Sequence, residues 1–141
     1  MDQPRAPAEI VTRTERIWMQ DGIVRCVVLP TPTHTLADAQ ENSRAVAAVA
    51  GGGRALMLLD TRASKGLDRE ARLYYVRPEA ASELLALAML VDSQIGWILG
   101  NFFMNVNKPP FPLRLFTAEA EAIAWLKGAG HLSAPAGIRR A

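Results

Sequence analysis

The tightest constraint on this chain is the stretch RALMLLDTRASKGLDREAR, residues 54 to 72. An uncharged apolar run from Ala55 to Leu59 stops abruptly at Asp60. A polar loop, Thr61 to Gly66, leads to a helix start at Asp68. The run is short and bounded by turn signals, so it reads as a central strand covered on both faces. In open α/β sheets, ligands and partners bind at the carboxyl end of such a strand.

The flanking sequence fills in the rest of such a sheet. Residues 1–8 carry two prolines and are expected to be disordered. A β-rich pattern begins at Ile10, and Asp21-Gly22 follows Ile17-Trp18-Met19 as a type I′ hairpin turn. The second strand, Ile23 to Leu29, ends at Pro30 and Pro32. Thr35 is placed to cap a helix, with Asp38 in its first turn. Leu36, Ala39, Ser43, Val46, Ala47 and Ala50 form its core-facing side, with Asp38, Glu41 and Arg44 elsewhere. Gly51-Gly52-Gly53 follows a helix and precedes a strand, so it reads as a helix stop and not as a phosphate loop.

Beyond the central strand, Asp68 caps a helix that bends or restarts at Arg77-Pro78. Leu84 to Val91 fits a buried strand or a buried helix by periodicity, and its length and the abrupt Asp92 favour the strand. Ser93 starts a third helix whose Ile95, Ile98, Leu99, Phe102, Phe103 and Val106 form a core-facing stripe. Trp97 and Met104, with Gly100 beside them, lie opposite. A short strand, Pro112 to Phe116, leads to a last helix capped by Thr117 and ended by Gly128 and Gly130, with Ala118, Ala122, Trp125, Leu126 and Ala129 toward the core. The order β-β-α-β-α-β-α-β-α predicts an α/β domain over 9–130. Its mixed sheet has an N-terminal hairpin followed by parallel strands, and 131–141 form a tail.

Charge and composition exclude several function classes. The net charge of +2 comes from Arg139 and Arg140 in the tail; the other fourteen basic residues match the fourteen acidic ones, so nothing points to nucleic acid. The N-terminus has no signal-peptide core and no segment approaches a membrane span. The lone cysteine, Cys26, sits in an apolar strand and reads as core in a reducing cytoplasm. His34 and His131 have no partner at metal-ligand spacing, so no metal or cofactor is expected. No nucleophile elbow or pair of catalytic carboxylates marks an enzyme.

Three segments carry a resemblance: LMLLDTRASKGLDREAR, LALAMLVDSQIGWILGNFF and PLRLFTAEAEAIAWLKG. Together they resemble the STAS domain of bacterial anti-sigma factor antagonists, and more so the bacterial STAS-like proteins of unknown function. The closing segment is similar to that family's terminal signature at Phe116, Thr117, Glu121, Ala122, Trp125 and Leu126, with glutamate and alanine one place off the simplest spacing. The resemblance covers roughly residues 10 to 128 and implies a STAS-like fold acting as a regulatory module. In the antagonists the loop reads Asp-Ser-Ser-Gly, and a partner kinase phosphorylates the first serine. Here Asp68 matches the aspartate, but Arg69, Glu70 and Ala71 stand at the next three positions, so the standard switch is absent. Ser64 is the loop serine that remains for a kinase.

The resulting expectation is a non-enzymatic regulatory or protein-interaction module. Its partner- or anion-binding loop is Thr61, Arg62, Ser64, Lys65, Asp68, Arg69 and Arg72. The plain reading of those residues is a solvated loop with a capped helix and an Asp68–Arg72 charge pair. Trp97, Gly100 and Met104 mark a second surface for a partner or a homodimer, unless Trp97 turns inward. The alternative is a binding protein for a small acyl or anionic ligand held between helices and sheet. A carrier requires an elongated apolar cavity there, and an interaction module a filled core.

Overall fold

The computed structural model describes residues 8–92 and 94–132, and within these not the side chains of residues 95, 99, 102, 103, 131 and 132. Six strands and four helices alternate along them: β1 Glu9–Val11, β2 Glu15–Gln20, β3 Ile23–Val28, α1 Leu36–Ala50, β4 Ala55–Asp60, α2 Arg69–Tyr75, β5 Leu84–Leu90, α3 Gln94–Phe102, β6 Leu113–Phe116 and α4 Glu119–Leu132. A 3-10 turn, Pro78–Ser82, leads into β5, and a π-turn, Phe103–Asn107, follows α3. The strands form one sheet in sequence order, from β1 at one edge to β6 at the other. The β1–β2 and β2–β3 pairs are antiparallel; β3 through β6 are parallel. The order is the expected one with an added edge strand, β1.

This order determines where the helices go. Each parallel crossover steps the same way across the sheet, and right-handed crossovers that do so lie on one face. That face carries α1, α2 and α3, while α4, which follows the last strand, covers the other alone. Under α4, Ile23, Leu58, Ala86, Ala88, Leu90 and Phe116 pack on Ala122 and Leu126. Under α1, Ile17, Val24 and Cys26 pack on Ala45 and Val49. The alternation along β4 and β5 divides each strand between the two cores.

Local signals account for the boundaries. Asp21 and Gly22 take φ of 54° and 77° in the hairpin turn, as a type I′ turn requires. Thr35 and Asp38 form a capping box on α1, and Gly51 closes that helix at φ 74°. Asp68 Oδ1 accepts from Ala71 N at 2.8 Å to cap α2.

Five expectations are corrected. The inner side of α1 is Asp38, Ala39, Asn42, Ala45 and Val49, whereas Ala47 is exposed. The helix is turned because the β1–β2 connection supplies polar partners: Arg13 Nε donates to Asp38 Oδ1 at 2.8 Å, and Thr12 Oγ1 to Asn42 Oδ1 at 2.6 Å. Arg72 forms no ion pair with Asp68 among the described residues. Ile98 on α3 and Val106 in the π-turn are 57% and 58% exposed, so they do not belong to a core-facing stripe; the side chains of Ile95, Leu99, Phe102 and Phe103 lie outside the described set, as does Ser93, the expected helix start. Helix α4 begins at Glu119, which puts Ala118 and not Thr117 at the cap position, and Ala118 is exposed. Finally, α4 runs through Gly128 and Gly130 to Leu132. A Cβ at Gly130 would lie 2.8 Å from Leu56 Cδ1, so that glycine serves close helix–sheet packing and not a stop.

Candidate functional site

The two faces of the sheet are filled very differently. Helix α2 has seven residues, about 10 Å at 1.5 Å per residue, yet it crosses between β4 and β5, whose six and seven residues span about 20 Å each. The shortfall leaves a cavity of about 680 Å³ on the α1–α3 face. Met57, Leu59, Leu87 and Met89 of β4 and β5 form its floor. Val46, Ala47 and Ala50 of α1 line one wall, and Gly96 and Gly100 of α3 with Phe111 line the other. Gly100 is buried, and a Cβ there would lie 2.8 Å from both Leu115 methyl carbons.

The cavity runs the length of the parallel strands. At their start edge it meets Gly52, Gly53, Ser82 and Glu83, and Arg77 of this end is paired with Glu83. At their finish edge it meets Thr61 to Leu67 except Ala63, together with Val91 and Asp92. The loop that follows β4 therefore lies at this edge of the cavity.

The loop itself is held by its own bonds. Arg62 clasps the Asp60 carboxylate with Nε and Nη2 at 2.9 and 2.7 Å, and its amide donates to the same group at 3.0 Å. These bonds, chiefly the side-chain one from Arg62, hold the Asp60 carboxyl below its usual range. Thr61 Oγ1 donates to Leu90 O at 2.7 Å, and Ser64 Oγ accepts from Gly66 N at 3.1 Å. Of the seven loop residues singled out from sequence, Thr61, Arg62, Ser64, Lys65 and Arg72 line the cavity. Asp68 caps α2, and Arg69 is exposed away from the cavity. On α3, Trp97 is 44% exposed and Gly100 faces the sheet, while Met104 in the π-turn is half-buried.

The finish edge also gathers four polar groups that the sequence reading passed over as site residues. Glu15 is 4% exposed at the start of β2, on the same face as Ile17. Among the described residues nothing bonds its carboxyl, and burial alone pushes it up to about 7. His34 is 2% exposed, and neither ring nitrogen has a hydrogen-bond partner among the described residues. Burial lowers its pKa. Asn42 Nδ2 donates to Thr14 Oγ1 at 2.9 Å and to Tyr75 Oη at 3.2 Å. Burial, with the nearby Glu15 second, raises the Tyr75 pKa. Arg72 turns inward and its buried Nε has no partner. The sequence signal for Glu15 was its period-2 register with Ile17; for Asn42 it was a polar residue inside a stripe of alanines.

Among the described residues no cluster of His, Cys, Asp or Glu is arranged to hold a metal ion. No helix of the described residues is long and apolar enough to cross a membrane.

The sheet order, the helix placement and the single-helix second face define a SpoIIAA-like α/β fold. Among solved structures the chain is similar to an uncharacterized protein of the DUF3478 family with that fold, from Shewanella loihica PV-4. The TM-score is 0.58 at 13% identity, covering 79% of this chain and 91% of that one. This is the fold that the STAS-like resemblance implied. A family model for a domain of unknown function, DUF7793, matches residues 17–129, and the chain belongs to that family. No curated protein matches it.

Proposed function

We propose that this domain is a small-molecule-binding protein that encloses an apolar ligand between α1–α3 and the sheet. The observation that carries this is the elongated cavity of about 680 Å³ over β4 and β5, within the size range of drug-like and cofactor sites. A domain serving only as a docking surface has no use for that void, because unfilled apolar volume costs stability, about 24 cal/mol per Å³ in one well-studied core. Ligand burial removes the same apolar floor from water and offsets that cost. The setting we propose is a reducing cytoplasm, consistent with the buried free Cys26.

A regulatory protein contact without the usual phosphoserine is the second reading. The exposed Trp97, Ile98 and Val106 on and after α3 favour it, and a homodimer through that surface is the simplest form. The two readings join if ligand occupancy alters how α3 sits on the cavity.

Native mass spectrometry of the full chain, purified from the cell that makes it, tests the proposal. A small molecule bound at one per chain and released on denaturation is expected. The variant Met57→Trp fills the floor and should lose that adduct while remaining folded. Wild-type protein without any adduct, combined with a Met57→Trp variant that takes up a neutral apolar dye as well as wild type does, would refute the reading.

A further inference from the structure

The unpaired groups at the finish edge say what the far end of such a ligand must supply, provided the ligand-binding reading above holds. His34 is almost wholly buried, lines the cavity and has two unsatisfied ring nitrogens. A neutral imidazole carries one N–H, so it brings a donor and an acceptor. The Tyr75 oxygen accepts from Asn42, which leaves its own proton without an acceptor among the described residues. Arg72 and Tyr75 stand three apart on α2 and share a face; the buried Arg72 Nε also lacks an acceptor. Each buried group left without a partner costs stability. A cluster of three such donors is costly unless oxygen atoms arrive from outside the chain.

We infer that the ligand ends in a carboxylate, lodged at the finish edge against Arg72, His34 and Tyr75, with its apolar body lying along β4 and β5. The charge balance favours this over an amine. The Arg72 guanidinium forms no ion pair among the described residues, whereas Asp38, whose charge acts on His34, is bonded to Arg13 and Thr35. Lys65 adds an exposed positive charge at the mouth. Among the described residues the buried acid that lines the cavity at this edge is Glu15, and its burial favours the neutral form up to about pH 7. A neutral carboxyl does not repel an anion and adds a fourth donor. An amine would sit beside Arg72 and require Glu15 to ionise.

Isothermal titration of the full chain at pH 6.5 with three probes of equal tail, decanoate, 1-decanol and decylamine, each below its micellar concentration, separates the cases. Decanoate is expected to bind at least tenfold more tightly than 1-decanol. Arg72→Gln should erase the preference, so that the two bind alike, and Tyr75→Phe should reduce it several-fold. Equal binding of all three probes, or tightest binding of decylamine, overturns the carboxylate head while the cavity reading stands. If wild type binds none of them, both fall. If Arg72→Gln binds 1-decanol yet keeps the full preference for decanoate, Arg72 does not read the head group and the assignment is wrong.

Discussion

Replacing Glu15 by Gln should change how stability depends on pH, with the variant gaining on wild type as pH rises. In the native protein burial raises this carboxyl from 4.5 to about 7. The folded state therefore holds a proton that the unfolded chain has released throughout that window. Stability falls with rising pH wherever the native state binds more protons. The contribution is fully favourable below pH 4.5, declines as pH climbs, and levels off above the native value of about 7. At about 1.36 kcal/mol per pKa unit, the loss amounts to about 3 kcal/mol. Two other groups must be kept apart from it. The His34 pKa is lowered from 6.5, so His34 acts in the opposite sense, with stability rising as pH approaches 6.5. Asp38 is held well below its ordinary 3.8, chiefly by Arg13, so its contribution is complete above that pH and is lost only in stronger acid. Both remain in the variant. Urea unfolding of wild type and Glu15→Gln at half-unit steps from pH 4.5 to 8 therefore isolates Glu15 as the difference between two curves. The variant should gain about 3 kcal/mol on wild type across that range. Parallel curves would mean that the Glu15 carboxyl is solvated or paired in the native protein, and the account of the cavity's polar end would fail with it.

Two further outcomes follow from packing and hydrogen bonding. Asn42→Ala removes the bonds to Thr12, Thr14 and Tyr75 at once; a loss of about 3 kcal/mol is expected, read as a fall in Tm of about 10 °C by calorimetry. The glycines of α3 and α4 should respond in opposite directions. Gly128→Ala meets nothing within 4 Å and should stabilise by about 0.5–1 kcal/mol, while Gly100→Ala presses on both Leu115 methyls and should destabilise by about 1 kcal/mol despite its better helix propensity. Equal shifts in the two melting curves would contradict the described seat of α3 on β6.

The sheet was legible because its signals are local. The Asp21-Gly22 turn, the apolar run ending at Asp60, and Leu84 to Leu90 each state a strand within a few residues. Helix α1 was placed correctly and its inner side only in part, because Asp38 and Asn42 are drawn inward by Arg13, Thr12 and Thr14, 25 to 30 positions earlier in the chain. No window along α1 contains those partners. Gly128 and Gly130 signalled a stop by composition, but packing on Leu56 decided otherwise. That Thr61 to Gly66 forms a loop between a central strand and a helix was legible. The space behind it was not, since a cavity is set by the difference in length between α2 and the strands it joins. The buried polar end was hidden for a related reason: Glu15, His34, Asn42 and Tyr75 come from four separate elements and meet only in the folded protein.

The strand order has a consequence for how the chain assembles. Each strand pairs with its immediate predecessor, so no strand inserts between two already made, and every pairing closes across a single connection. Such a sheet can grow from the N-terminus during synthesis, with short-range contacts that favour rapid folding. At each step one open edge faces the next strand to emerge. When growth ends, the two remaining edges are β1, of three residues, and β6, of four. Edges that short give a second chain little to pair with, which protects the finished sheet against edge-to-edge aggregation.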